Sequence, residues 1–190
     1  RQIEAYYCED KPSALEKALK LIPKGSTIGW GGSVTLSEIG LIDAVKNGDY
    51  TIIDRDKATN LEEQKAVYSQ ICSSDFFLMS TNAITLDGEL INIDGRGNRV
   101  AFLCYGPENV LIVAGMNKVV SSIESGFERA SNVSAPPNAI RLNRKTPCAI
   151  TGKCEDCYSP DCMCSQFIVT RRSGIPNRIK IILVGEELGY

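Results

Sequence analysis

The chain has 190 residues, of which 21 are lysine or arginine, 23 are aspartate or glutamate and none is histidine, so its formal net charge is -2. A hydrophobic fraction of 43% and a charged fraction of 23% are typical of one globular domain, and the nearly balanced charge predicts no broad basic surface for nucleic acid or an anionic membrane. The absence of histidine excludes imidazole general bases, Ser-His-Asp and Cys-His nucleophiles and His-ligated zinc within this chain.

The first part of the chain predicts alternating strands and helices. Short apolar runs indicate strands, and apolar residues at helical spacing indicate the helices between them. The predicted strands span residues 3–8, 26–30, 50–54 and 75–80, and the predicted helices span 11–22, 33–48 and 60–74. This order favours a mostly parallel sheet flanked by helices, because parallel strands need crossover connections.

The pattern changes after residue 84. Asp-Gly pairs at 87–88 and 94–95 stand around short alternating runs, which predicts antiparallel hairpins. Further on, the sequence predicts strands at 109–115, 166–172 and 178–185. It also predicts a helix at 121–132, which the "APP" segment at 135–137 ends. We therefore expect one α/β domain over residues 1–190, with three layers and a cysteine-rich insertion at about 146–165.

Five of the eight cysteines are crowded into the insertion. They run from Cys148 to Cys164 with the spacing C-x5-C-x2-C-x4-C-x-C, and turn-forming segments lie between them. Short, turn-rich spacing of this kind is typical of thiolates that share a zinc ion or an iron-sulfur cluster. The spacing matches neither a zinc ribbon nor a bacterial ferredoxin, so zinc and an iron-sulfur centre both stay open. Free redox-active thiols and disulfides are the alternatives.

A glycine-rich turn follows the second predicted strand in "STIGWGGSVTLSEIG". Such a turn at the start of a helix offers unpaired backbone N–H groups to an anion. It is not a dinucleotide fingerprint, because Val34 stands where the third glycine would be. The glycines alternatively form only a tight entry to a helix that Thr35 and Glu38 cap as a capping box.

Polar residues follow three predicted strands, at the edge where open α/β sheets bind ligands. The loops "GGS", "STN" and "GMNK" end these strands, and "GRGNR" of the predicted hairpin reaches toward them. Together they suit a carboxylate or a phosphate, although each residue alone is also an ordinary turn residue. The candidate ligand-binding residues are Gly31, Gly32, Ser33, Thr81, Asn82, Asn98, Arg99, Asn117 and Lys118.

Several ordered blocks resemble the lactate-utilization (LUD) domain proteins. They are "GWGGSVTLSEIG", "STNAITLDGELINIDGRGNRVA", "GPENVLIVAGMNKV", "TPCAITGKCEDCYSP" and "RIKIILVGEELGY", and the resemblance extends from about residue 3 to Tyr190. It implies the three-layer α/β/α sandwich of the superfamily that contains ribose-5-phosphate isomerase, glucosamine-6-phosphate deaminase and the coenzyme A transferases. It also implies a role in bacterial lactate use, where related proteins act alongside iron-sulfur and oxidoreductase subunits that oxidise L-lactate to pyruvate.

The resemblance also implies a metal-ligand set. The family pattern keeps a C-x5-C-x2-C-x6-C quartet that corresponds to Cys148, Cys154, Cys157 and Cys164, and it leaves Cys162 as the spare thiol. The expected cofactor is an iron-sulfur cluster or zinc. The expected partners are a small carboxylate- or phosphate-bearing ligand and subunits of a lactate-oxidation system.

Two other functions remain open at this stage. A free-standing isomerase- or transferase-type enzyme would use the cysteines only for a structural zinc, but Asn82 stands where related isomerases use an acid, and an amide cannot act as a general base. A thiol-based redox sensor would bind no metal. Whether the protein is an enzyme is left open. A cytoplasmic location is expected because no membrane span or signal peptide is evident, although a chain that starts at Arg1 leaves room for a removed leader.

Overall fold

The computed structural model describes residues 1–190. Its strands are β1 (Glu4–Cys8), β2 (Thr27–Trp30), β3 (Thr51–Ile52), β4 (Phe76–Met79), β5 (Ala83–Thr85), β6 (Leu90–Asp94), β7 (Asn109–Gly115), β8 (Val119–Val120), β9 (Gln166–Thr170) and β10 (Ile179–Val184). Its helices are α1 (Lys11–Leu21), α2 (Val34–Glu38), α3 (Leu41–Asn47), α4 (Leu61–Cys72), α5 (Asn98–Cys104), α6 (Ile123–Arg129), α7 (Ala135–Arg141) and α8 (Pro147–Thr151).

Six strands form one parallel sheet in the order β1-β10-β7-β4-β2-β3. The central strands β4 and β7 are buried on both faces, which explains why they read as continuous apolar runs rather than alternating ones. Because all six strands point the same way, the loops that follow β2, β4 and β7 meet at one edge of the sheet. The predicted α/β class and mostly parallel sheet are confirmed.

A second, four-stranded sheet has the order β8-β5-β6-β9. Its central pair, β5 and β6, is the antiparallel hairpin that the first Asp-Gly pair predicts, and Gly88 in the turn has a φ of 83°. The hairpin predicted at the second Asp-Gly pair is wrong. The chain leaves β6 through Gly97, which has a φ of 82°, and enters helix α5 instead of another strand.

The core lies on both faces of the parallel sheet, because side chains alternate along each strand. Phe76 and Leu78 of β4 join a cluster of 17 buried residues that includes residues of α1, α2 and α3. Phe77 and Met79 point to the opposite face of the sheet and belong to a cluster of 11 buried residues, which includes residues of α4, α5 and the second sheet. The outer layer on this second face is thus built from helices and strands together.

Two helix predictions need correction. The helix expected at 33–48 is two helices, because Gly40 takes a left-handed φ of 73° between α2 and α3. The "APP" segment does not end a helix. Its prolines lie in the first turn of α7, and a π-helical segment at Ala130–Ser134 joins α6 to α7, so the helical run continues through them.

The crowded cysteines lie between α7 and β9. Apart from the short helix α8, this stretch contains no helix or strand, and turns supply its shape. Glycine at position 152, with a φ of 75°, ends α8. No helix of the structure combines the length and the apolar character that crossing a membrane requires.

Candidate functional site

A crevice of about 810 Å3 opens at the carboxyl ends of the parallel strands. Its floor is built from the loops after β2, β4 and β7, and one wall comes from the start of α5. Helix α7 and the segment around residues 160–164 supply the opposite wall. We call this cavity the strand-end crevice.

Gly32 lets an arginine approach the loop after β2. A Cβ added at Gly32 would lie 2.9 Å from Nη2 of Arg55, so any larger residue here would displace the guanidinium. The Arg55 side chain donates no hydrogen bond to the protein: its buried Nε has no hydrogen-bond partner and only forms an ion pair with Oδ1 of Asp56, 3.5 Å away. Its guanidinium is therefore available to a ligand in the strand-end crevice, which Arg55 lines.

The capping-box interpretation of Thr35 and Glu38 is wrong. Ser33 is the N-cap of α2, and its Oγ accepts a hydrogen bond from the Leu36 N–H at 3.3 Å. Thr35 is buried and contacts Lys118, while Glu38 accepts a hydrogen bond from the Gly189 N–H at 2.7 Å. Because α2 has only five residues, its dipole contributes little to anion binding, and side-chain cations dominate the site.

Arg99 holds the hairpin against the sheet edge and has no free N–H. Its five donor bonds go to Asp94 Oδ2 and to four oxygens of neighbouring strand-end residues: Ser80 O, Asn92 Oδ1, Asn82 Oδ1 and Ile93 O. Burial lowers the pKa of Arg99, and the charge of Asp94 partly opposes this. Arg99 therefore brings positive charge to the crevice but no available donor.

Arg129 fastens two of the loops to each other. Its Nε donates to Asn117 O at 2.8 Å, and its Nη1 donates to Asn82 O at 2.7 Å and to Ser134 Oγ at 3.0 Å. These bonds fix the loop after β4 relative to the loop after β7. Lys118, in the loop after β7, is thereby held in place against the crevice.

Lys118 lies deep in the site, and its pKa is strongly lowered. Only 3% of it is exposed, and its Nζ donates to Thr35 Oγ1 and to Ser80 Oγ, both at 3.0 Å. Burial, together with the positive charges of Arg129 and Arg99, lowers the pKa of Lys118 to about 7. At neutral pH this amine therefore exchanges its proton readily.

Seven of the nine sequence-predicted ligand residues line the strand-end crevice. Gly31 and Asn117 do not. A Cβ on Gly31 would lie 3.2 Å from Cγ of Arg99, so this glycine makes room for that side chain. Asn117 bonds the C-terminal segment, because its Oδ1 accepts from the Leu188 N–H at 3.1 Å and its Nδ2 donates to Gly189 O at 3.3 Å. Gly31 and Asn117 therefore support the residues that line the crevice and do not line it themselves.

Sequence reasoning missed several cations of the crevice. Arg55 directly follows the strand predicted at 50–54, so the same strand-end rule would have found it. Arg141 and Arg144 come from α7 and the turn after it, and no strand-end signal marks them. Five arginines and one lysine line the crevice together with three carboxylates: Arg55, Arg96, Arg99, Arg141, Arg144 and Lys118 with Asp56, Asp94 and Asp161. The crevice is positive in a chain whose net charge is -2.

The five crowded cysteines line a second cavity of about 580 Å3, which we call the cysteine cavity: Cys148, Cys154, Cys157, Cys162 and Cys164. No three Cys, Asp or Glu side chains lie in an arrangement that could hold a metal ion in this structure. Burial, together with the neighbouring residues Cys162, Cys154 and Cys148, raises the pKa of Cys164 to about 12. The sulfurs are thus gathered in one place without forming a closed coordination sphere.

The two cavities share a wall. Residues 160, 162, 163 and 164 line both the strand-end crevice and the cysteine cavity, and Ala135 of α7 does so as well. Cys162 and Cys164 are therefore the thiols next to the crevice. The Sγ of Cys162 accepts a hydrogen bond from the Cys164 N–H at 3.4 Å, which keeps this pair of residues in a tight turn.

Comparisons with known proteins place the chain in a family. The family model of the LUD domain matches residues 1–184. Among curated proteins, none is similar enough to count as a match.

One solved structure shows a similar fold, and two others align over part of the chain. A DUF162 family protein from Deinococcus radiodurans aligns with a TM-score of 0.53 and 15% identity, covering 96% of this chain and 88% of its own. Ribose 5 phosphate isomerase A from Neisseria gonorrhoeae has a TM-score of 0.38 and 17% identity, covering 58% of this chain and 53% of its own. The eIF2B delta subunit from Chaetomium thermophilum has a TM-score of 0.39 and 19% identity, covering 58% and 48%. At these identities the first likeness concerns the fold alone, and the other two carry no argument.

Proposed function

Because the chain belongs to the LUD domain family, we propose that it serves bacterial L-lactate utilization as a component that binds a small carboxylate- or phosphate-bearing ligand in the strand-end crevice. Iron-sulfur and oxidoreductase subunits of a lactate-oxidation system are its proposed partners. The observation that carries the ligand proposal is the excess of cations in this crevice, combined with donors that the protein leaves unused.

The unused donors support an anionic ligand. The guanidinium of Arg55 makes no hydrogen bond within the protein, and the side chain of Asn98 has none either, yet both residues line the crevice. A planar guanidinium presents paired N–H groups that match two oxygens of a carboxylate or a phosphate. Arg99, whose side chain is only 15% exposed, adds positive charge to the same crevice, where solvent screening is weak.

The cysteine cavity supports a second part of the proposal, a metal centre. Thiolates are the protein ligands that zinc and iron-sulfur clusters prefer, so the chemistry of the donor set fits either one. The proposed ligands remain Cys148, Cys154, Cys157 and Cys164, whose side chains would have to turn toward one another to close a coordination sphere. When bound, an iron-sulfur cluster would supply one-electron transfer, and zinc would supply only a structural crosslink.

An isomerase-type enzyme is less well supported. Such chemistry needs a carboxylate that is free to take a proton. Asp94 lies at the end of β6 and lines the crevice, and its two oxygens accept from the Gly97 N–H at 2.8 Å and from Arg99 Nε at 3.2 Å. A carboxylate held in this way is a poor general base. Binding and partner function therefore fit the residues better.

Isothermal titration calorimetry with inorganic phosphate and with L-lactate tests the crevice. We expect saturable binding that Arg55→Gln weakens by about ten- to a hundredfold, because a hydrogen bond to a charged group contributes about 1.5–3 kcal/mol. The matched control is Arg172→Gln, which removes an exposed arginine outside the crevice and leaves the affinity unchanged. Equal affinity in Arg55→Gln and in the unmodified protein contradicts the assignment.

Anaerobic purification followed by iron, sulfide and zinc analysis tests the metal centre. We expect one centre per chain and its loss in Cys154→Ser and in Cys157→Ser. Cys104→Ser is the control, because this exposed cysteine is the last residue of α5 and does not line the cysteine cavity. Protein that contains neither iron nor zinc, or variants that keep the full metal content, would remove these cysteines from the ligand set.

A further inference from the structure

Lys118 lies among hydroxyl groups rather than carboxylates. Its Nζ donates to Thr35 Oγ1 and Ser80 Oγ, and Lys118 takes part in no ion pair. A lysine buried without a counter-ion is unusual, because burying an unpaired ammonium costs much more free energy than burying a neutral amine. The surroundings of Lys118 therefore favour the neutral form.

The hydrogen bonds around Nζ use the two hydrogens of a neutral amine, and the third N–H of an ammonium would have no acceptor within the protein. The Thr35 hydroxyl donates its one hydrogen to Leu188 O, and the Ser80 hydroxyl donates its own to Thr81 O, both at 3.4 Å. Each hydroxyl consequently meets Lys118 with a lone pair, and Nζ must supply a hydrogen to both. A neutral amine has two N–H bonds and one lone pair. The two hydroxyls take both hydrogens and leave the nitrogen lone pair unused.

The charges near Lys118 act in the same direction. Arg129 and Arg99 approach it from α6 and α5, and Glu38 of α2 is the carboxylate that opposes them. Oε2 of Glu38 already accepts a hydrogen bond from the Gly189 N–H at 2.7 Å. Burial and these charges lower the pKa of Lys118 to about 7. At neutral pH its neutral fraction is then about a thousandfold larger than that of a lysine in water.

We infer that Lys118 is a nucleophilic amine that forms an imine with the carbonyl carbon of an anionic carbonyl compound of the 2-oxo acid class. This inference rests on the proposed anion binding and names the chemical class of the ligand. Desolvation and neighbouring cations are the two means by which proteins activate lysine for this reaction.

The step balances without an oxidant or a reductant. The lone pair of Nζ forms a C–N bond to the carbonyl carbon, and the π pair of the C=O bond moves to its oxygen. The two hydrogens of the amine nitrogen leave with that oxygen as water, and a C=N bond remains. The products are therefore one imine and one water molecule for each carbonyl consumed.

The crevice explains why the carbonyl compound carries a carboxylate. An amine lone pair selects a carbonyl carbon, and the surrounding cations select a negative group next to it. Arg55 and Lys118 both line the crevice, Arg55 donates no hydrogen bond within the protein, and the cavity of about 810 Å3 accommodates a small organic acid. A 2-oxo acid has both groups on adjacent carbon atoms.

Reductive trapping with pyruvate as the probe tests the inference. The protein is incubated with pyruvate at pH 7.5, sodium borohydride is added to reduce any imine, and intact-mass and peptide mass spectrometry locate the adduct. We expect one reduced pyruvyl group per chain, on Lys118, at a trapping rate at least about tenfold above that of any other lysine, given its larger neutral fraction. Lys118→Met removes the adduct, whereas Lys153→Met, which removes an exposed lysine outside the crevice, keeps it.

Several outcomes would overturn the inference. Labelling spread evenly over surface lysines, or an adduct that persists in Lys118→Met, refutes it. If that variant does not fold, peptide mapping of the unmodified protein still decides which lysine reacts. Calorimetry with phosphate separates the two proposals: binding of phosphate without pyruvate trapping refutes the imine and leaves the anion site standing, and the loss of both refutes the site itself.

Discussion

Replacing Lys118 with methionine has a consequence that depends on pH. The native pKa of Lys118 is about 7, whereas its ordinary value is 10.5, so between these values the unfolded chain binds one more proton than the native protein. The free energy of unfolding therefore rises with pH across this window. The difference in pKa corresponds to a destabilisation of about 5 kcal/mol. This destabilisation is fully present below a pH of about 7 and absent above the pKa of the unfolded chain, 10.5.

Lys118→Met removes this dependence. The variant leaves Thr35 Oγ1 and Ser80 Oγ without their donor, which costs about 1–3 kcal/mol per oxygen at every pH. Only the change of the stability difference with pH therefore reports the protonation of Lys118. We expect the stability of the unmodified protein relative to Lys118→Met to increase by up to about 1.4 kcal/mol per pH unit above neutrality.

Urea unfolding of both proteins between pH 6 and pH 10 measures this slope. The comparison cancels the other titrating groups that the two proteins share. Lys153→Met, which also removes one lysine but at an exposed position, controls for the loss of a positive charge. A stability difference between the unmodified protein and Lys118→Met that stays constant over the whole range would refute the claim that Lys118 is buried in its neutral form.

Two further substitutions test the packing that supports the site. We expect Arg178→Met to lower the free energy of unfolding by about 3 kcal/mol or more in urea unfolding, because it leaves three buried carbonyls without donors: Pro107 O, Leu103 O and Phe102 O. We expect Gly126→Val to cost about 1–3 kcal/mol, because its Cβ would lie 2.8 Å from Cγ1 of the fully buried Ile91 and would push α6 off the second sheet; unchanged thermal stability would contradict this packing.

The parallel sheet was predictable because its strands carry their own signals. The segments "DFFLMS" and "NVLIVAG" are too continuously apolar for a half-exposed strand, and helices of clear periodicity separate them from the neighbouring strands. Their order in the sheet was not predictable. It depends on which apolar faces pack across the layers, and no local pattern encodes that choice.

The incorrect element predictions share a cause. The apolar residues of the run 98–104 suit either a strand or a helix. The run forms a helix because Gly97 adopts a left-handed conformation and its N–H bonds Asp94 at the end of β6. At Gly40 the sequence pattern continues through the helix, but a left-handed glycine interrupts it. In both places backbone conformation and tertiary contact outweigh a periodicity that is compatible with more than one structure.

The crevice was predictable only in part. The strand-end rule brings Ser33, Thr81 and Lys118 together because it follows from sheet topology alone. It does not tell a free side chain from an engaged one. Arg99 was chosen from its sequence position, yet all of its donors are bonded, whereas Arg55 was missed and has an unpartnered buried nitrogen. That difference exists only once side chains are packed.

The electrostatics of the crevice couple ligand binding to protonation. An anion placed near Nζ of Lys118 stabilises the ammonium form, so binding raises the pKa of Lys118 from about 7 and takes up a proton above that pH. Imine formation instead requires the neutral amine of Lys118, and an amine that has formed an imine no longer exchanges between its neutral and ammonium forms. The same lysine thus discriminates between ligands: phosphate binds with proton uptake, whereas a 2-oxo acid is captured best where the amine is already neutral. Opposite pH dependences for phosphate affinity and pyruvate trapping follow from this single group.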